Sequence, residues 1–126
     1  MGSRARLALA AAVILVAAFL TYRGILFPRD PELIYPWSSD NWGHLIKAEY
    51  LLEQIRLGHI YPDLFPAWYS GQQMLRYYAP LPYYALVGLL TQTDNVWIAG
   101  NMFIAGTAAF GGVSFLLFRR HIGLGL

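Results

Sequence analysis

The chain has 126 residues, room for one domain, and is 57% hydrophobic with only 13% charged, below the charged share of ordinary soluble domains. Its net charge of +2 comes from scattered Lys and Arg with no basic run, which argues against a nucleic-acid surface. Cysteine is absent, which excludes disulfides and thiolate metal sites.

The apolar residues fall into three blocks, Leu7–Leu20, Ala79–Leu90 and Val96–Phe118, whereas all seven prolines lie between Pro28 and Pro82. Six of the seven acidic residues lie between Asp30 and Asp63. This ordering predicts an all-α membrane protein. It would have about three transmembrane helices, near 5–27, 78–93 and 96–118, and a first external loop near 28–77 that carries an amphipathic helix.

The first block follows Arg4 and Arg6, and as a helix from Ala5 to Phe27 it would cover about 35 Å. The rival reading is a cleaved signal peptide, but TYRGILFP after Leu20 offers no small-residue cleavage site, which favours a retained anchor. The N-terminal arginines predict a cytoplasmic N-terminus in the plasma (inner) membrane, with the following loop outside.

Pro28, Pro31 and Pro36 predict an extended entry to the loop. Leu45, Ala48, Leu52 and Ile55 then recur at helical spacing, with Lys47, Glu53, Gln54 and Arg56 elsewhere around the helix. Gly58 is a stop signal, so 41–57 reads as one amphipathic helix lying flat on the membrane surface. Ser38, Ser39 or Asp40 would cap its N-terminus. His44 stands one turn beyond Asp40 on the same face. That pair suits a base with its orienting partner, or two ligands of a divalent cation such as Mg or Mn.

From Pro62 through Pro82 and the two residues after it, the chain carries Trp68, Tyr69, Tyr77, Tyr78, Tyr83 and Tyr84. Aromatics of this kind suit the headgroup level of a bilayer, and they also suit a groove for sugar rings or an isoprenoid chain. Arg76 could meet a phosphate there, and Asp63 reads as a turn residue.

The second block is twelve residues long, short for a span unless Tyr77, Tyr78 and Thr91–Thr93 extend it, and Pro80 and Pro82 fit its first turn. The third block spans from Trp97 to Arg119–Arg120–His121. Its small pairs Ala105/Ala109 and Ala108/Gly112 predict a helix-packing face. Three spans place Arg119 and Arg120 outside, against the positive-inside rule, unless further helices override it. Ile122–Leu126 resembles the start of another apolar segment, so further helices of the same protein are expected to follow.

The order of these features is more informative than any one of them: D-x-x-x-H at Asp40 and His44, R-x-G at Arg56–Gly58, YPDLFPAWYSG at Tyr61–Gly71, and YYAPLPYYAL at Tyr77–Leu86. Together they resemble the N-terminal part of membrane glycosyltransferases of the GT-C fold. The likeness is greatest to the multi-span proteins described as 6-pyruvoyl-tetrahydropterin synthase-related. The resemblance implies sugar transfer from a polyprenyl-phosphate donor to an acceptor at the outer face. Asp40 would be the essential acidic residue of the first external loop, as base or metal ligand, with His44 supporting it. It also implies many more helices and a second acid in a later loop, which this chain lacks, so by itself the chain would be inactive. A small non-enzymatic scaffold or assembly subunit is the alternative. A transporter half is disfavoured because the apolar blocks hold almost no charge.

Overall fold

A computed structural model of the chain describes residues 3–27 and 39–119. Among these residues five helices follow one another: α1 (Ser3–Leu26), α2 (Ser39–Arg56), α3 (Met74–Tyr77), α4 (Pro80–Thr93) and α5 (Val96–Phe118). Among the described residues there is no extended sheet, only an isolated antiparallel bridge between Phe65 and Gln72. The entry segment with Pro28, Pro31 and Pro36, the capping candidate Ser38, and Arg120 to Leu126 lie outside the described residues.

Among the described residues, two helices are long and apolar enough to cross a membrane, Arg4–Leu26 with a mean hydropathy of 2.1 and Val96–Phe118 with 1.6. Along α1 the large apolar side chains, among them Leu9, Val13, Leu15, Val16, Phe19 and Leu20, are exposed. A helix apolar over most of its surface and uncovered is suited to lipid rather than water, which is consistent with a membrane-associated chain. The fourteen residues of α4 cover about 21 Å, less than the roughly 30 Å hydrocarbon core.

The chain divides into two compact units, one from Met1–Pro31 with Ile104–Leu126, the other Glu32–Phe103. Within the first, α1 approaches α5 at Gly112, where an added Cβ would come within 2.6 Å of Ile14 Cγ2. The small residue at that position is thus needed for the close approach expected of a packing face. At the end of α5, the Arg119 guanidinium folds back and donates to the Leu116 carbonyl. This satisfies one of the carbonyls that a helix C-terminus leaves open.

The second unit is built on α2 against α4. Leu45, Ala48, Leu51 and Leu52 pack with Tyr83, Leu86, Val87 and Leu90, and Phe65, Met74, Leu75 and Ala99 complete the core. The apolar stripe of α2 is therefore covered by protein, not laid on a membrane surface, because α4 presents a matching apolar face. Two departures from the expected stripe matter: Leu51 is wholly buried, and so is Lys47, at 2% exposed.

The caps follow local chemistry. Gly58, with φ of 92°, ends α2 in the left-handed conformation. There His59 N–H donates to Gln54 O at 2.8 Å and Gly58 N–H to Ile55 O at 3.0 Å, the paired bonds of a Schellman ending. Pro80 opens α4, where its missing N–H costs nothing, and Asp94 closes it. Asn95 then caps α5 through Oδ1, accepting from the Trp97 and Ile98 amides at 3.0 and 3.1 Å. Gly100 lets α5 settle on α2, since an added Cβ would meet Leu45 Cδ2 at 2.7 Å.

Three tyrosines staple the connection between α2 and α3. Tyr50 donates to Leu64 O at 2.6 Å, Tyr61 to Leu75 O at 3.0 Å and Tyr84 to Ile60 O at 2.8 Å. Much of the aromatic richness of this stretch thus holds irregular backbone in place, satisfying carbonyls that no regular element pairs.

Candidate functional site

The first three turns of α2 carry Asp40, Gly43, His44 and Lys47 toward the start of α4 and the loop before it. Asp40 is exposed in the first turn. His44, half-buried, makes a 2.6 Å hydrogen bond through Nδ1 with the Tyr83 hydroxyl of α4. The Tyr78 ring meets the imidazole edge-on at 5.6 Å and Tyr83 at 6.2 Å. The histidine is thereby fixed by a hydrogen bond and two rings.

Lys47 lies one turn past Gly43. Its ammonium is 4.8 Å from the centre of the Trp68 ring and 4.2 Å from that of Tyr78, both cation–π distances. Gly43 is what admits Trp68 to this position, since an added Cβ there would lie 3.3 Å from the indole. The loop that presents Trp68 is closed by reciprocal bonds between Phe65 and Gln72, at 2.7 and 3.0 Å. Its tip turns through three left-handed residues, Tyr69, Ser70 and Gly71, with φ of 49°, 59° and 116°. Two of these carry side chains, a local strain offset by the closure beneath.

Burial holds the His44 pKa below its ordinary value, the Lys47 ammonium lowers it further, and the Asp40 carboxylate acts in the opposite direction. A histidine of depressed pKa binds fewer protons folded than unfolded. The stability this site contributes is therefore fully present above the ordinary value of 6.5 and is lost as pH falls through the lower folded value. The thermal midpoint of the detergent-solubilised chain is accordingly expected to drop between neutral pH and pH ~5, around the histidine range. In His44→Gln the slope over that interval is expected to flatten. An unchanged slope would separate His44 from the transition.

Of the residues singled out from sequence, Asp40, His44, Trp68 and Tyr78 gather in this cluster. Tyr69, 87% exposed, meets the edge of Trp68 with ring centres 6.0 Å apart. Tyr77 is exposed to solvent. Arg76 bonds Gln73 at 3.1 Å and lines a separate cavity of about 350 Å³ with Tyr61, Pro62, Asp63, Gln73 and Leu75. Sequence reasoning missed Lys47 and Gly43 as members, and named Tyr83 only among the belt or groove aromatics. Lys47 was read as an ordinary polar position, and nothing in helical spacing shows that a distant tryptophan will cover it.

Among the described residues, no group of three or more His, Cys, Asp or Glu side chains could hold a metal ion. Asp40 and His44 amount to two donors, with His44 Nδ1 engaged by Tyr83. What the cluster offers chemically is an exposed carboxylate, an anchored imidazole that is mainly neutral at pH 7, and a cation held between aromatic faces. Comparison with protein-family models, with curated proteins and with solved structures finds no match to this chain.

Proposed function

We propose that this chain is the N-terminal portion of an integral membrane glycosyltransferase of the GT-C type, moving a sugar from a polyprenyl-phosphate donor to an acceptor at the outer membrane face. The observation that carries the reading is the convergence on one end of α2 of Asp40, exposed, and His44, anchored 2.6 Å from Tyr83. Asp40 takes the proton of the acceptor hydroxyl, and His44 orients the reacting groups beside it. A divalent cation, where one is used, would take Asp40 as a carboxylate ligand and complete its shell from the donor phosphate and from residues outside this chain. The metal would neutralise phosphate charge. In this arrangement α1 and α5 cross the membrane, the N-terminus is cytoplasmic, and the segment from 28 to 77 faces outward.

The test is sugar transfer by the complete membrane protein that contains this chain, reconstituted in liposomes with radiolabelled polyprenyl-phosphate sugars. Label is expected to move to an acceptor with at least one donor of a hexose and pentose panel. No transfer from any donor, in protein shown to be folded, would leave a non-enzymatic scaffold as the better account.

A further inference from the structure

Asp63 and Arg76 line one cavity of about 350 Å³ with opposite charges that do not pair. An aspartate that serves a turn bonds the backbone two residues on, but the Asp63 carboxylate makes no hydrogen bond or ion pair among the described residues. Arg76 Nη1 donates instead to Gln73 Oε1 at 3.1 Å, which holds the guanidinium on its own short helix rather than against Asp63. That bond uses one of five guanidinium N–H groups. It also leaves the amide N–H groups of Gln73 uncommitted, since this side chain makes no capping bond to α3. The Tyr61 hydroxyl donates to Leu75 O at 3.0 Å, which ties the loop at Tyr61–Asp63 to α3 and sets the spacing of the walls. Tyr61, Pro62 and Leu75 supply the apolar part of the lining. The result is an accessible recess with an acceptor, a set of donors and an apolar wall, all held on backbone that is itself anchored.

We propose that this cavity binds an uncharged sugar ring, an assignment that rests on the glycosyl-transfer reading only for the role the bound sugar plays. A sugar hydroxyl both donates and accepts. A carboxylate that only accepts, beside a guanidinium and an amide N–H group that donate, therefore suits a run of adjacent hydroxyls. The contacts to Asp63 and Arg76 are charge-assisted, the stronger kind of hydrogen bond. The C–H face of the ring suits Tyr61 and Pro62. The two charges of the lining cancel. An anion would be repelled by Asp63 and a cation by Arg76, so the phosphate that sequence alone suggests for Arg76 is disfavoured here. The volume falls within the roughly 300–1,000 Å³ of small-molecule sites. Arg76 also stands two residues before Tyr78, whose ring meets His44, so one short segment serves both this cavity and the Asp40–His44 cluster.

The test uses the full chain in micelles of a polyoxyethylene detergent, which carries neither sugar nor charge. Saturation-transfer NMR titrations give dissociation constants for methyl glycosides of a hexose and pentose panel and for the matching octyl glycosides. Glycine and inorganic phosphate serve as zwitterion and anion probes. At least one glycoside is expected to bind, with Asp63→Ala and Arg76→Met each weakening it by at least about tenfold, as loss of one charge-assisted contact predicts. Glu53→Gln, in a different cavity, is expected to bind like the parent. Asp63 and Arg76 are both exposed, and circular dichroism checks that the variants fold. Binding of methyl and octyl glycosides alike supports a site for the sugar itself. Binding of octyl glycosides alone, still dependent on Asp63 and Arg76, supports a site for a sugar carried on a lipid. The proposal is overturned by no glycoside binding in folded protein, by binding unchanged in either variant, or by tighter binding of glycine or phosphate than of any glycoside. Asp63-dependent binding without sugar transfer by the complete membrane protein removes the enzymatic reading and leaves the sugar site standing. Transfer without such binding does the reverse.

Discussion

Replacing Asp40 by Asn in the complete protein is expected, on the proposed glycosyl-transfer function, to lower kcat by about 10²–10⁴-fold, the usual contribution of a positioned general base. The substitution is chosen because it separates two roles that the same residue can play. Asp40 sits in the first turn of α2, where a carboxylate also complements the open amides of the helix N-terminus. Asparagine serves helix N-termini about as well as aspartate through its side-chain oxygen. What it removes is the charge, worth about 0.3–1 kcal/mol to the helix at an exposed terminus. A purely structural Asp40 would therefore show a small drop in thermal midpoint and unaltered turnover. A catalytic Asp40 would show turnover collapsed and the fold nearly intact, with KM for the donor little changed, since the lost interaction forms in the transition state. Full activity in Asp40→Asn would remove the carboxylate from the chemistry.

Leu51→Ala is expected to be the most destabilising simple truncation in the second unit, by about 2–5 kcal/mol. Leu51 is fully buried at the centre of the contact between α2 and α4. Its removal leaves a cavity between two helices that are held apart by their other core residues, so the site cannot readily collapse. Leu57, just past the end of α2 and 66% exposed, supplies the contrast, and Leu57→Ala is expected to change stability by no more than ~0.5 kcal/mol. Denaturant titration of the two variants in the same detergent measures the difference. The functional consequence follows from geometry: the His44–Tyr83 bond joins residues 39 apart in sequence across these same two helices. Loosening the α2–α4 contact at Leu51 is expected to weaken that bond before the chain unfolds. Equal effects at Leu51 and Leu57 would mean that α2 and α4 do not pack as described.

Much of the helical frame is written in local sequence. The third apolar block coincides with α5, Val96–Phe118, because a 23-residue apolar run has no competing structure. Gly58 and Pro80 act where they were expected to, since each fixes backbone geometry by itself, without help from neighbours. The start of α2 was legible to within two residues, and with it the placement of Asp40 and His44 one turn apart. Local signals failed where the answer depended on a partner far along the chain. The stripe on α2 was equally compatible with lipid and with protein, and only α4, about forty residues on, decided between them. Most tyrosines of the loop could not be sorted into belt, groove or staple, because a phenol declares its role through the carbonyl or ring it reaches.

Lys47 shows the division most plainly. Its sequence neighbours made it an ordinary polar position, and its chemistry is that of a buried cation. The sequence by itself determined which stretches are helical, which are suited to lipid, and that a carboxylate and an imidazole share one turn of helix. Only the tertiary structure decided that Trp68, Tyr78 and Tyr83 close around that turn. Helix propensity and hydropathy act over a few residues, whereas the environment of a side chain is set by whichever distant surfaces fill the space around it.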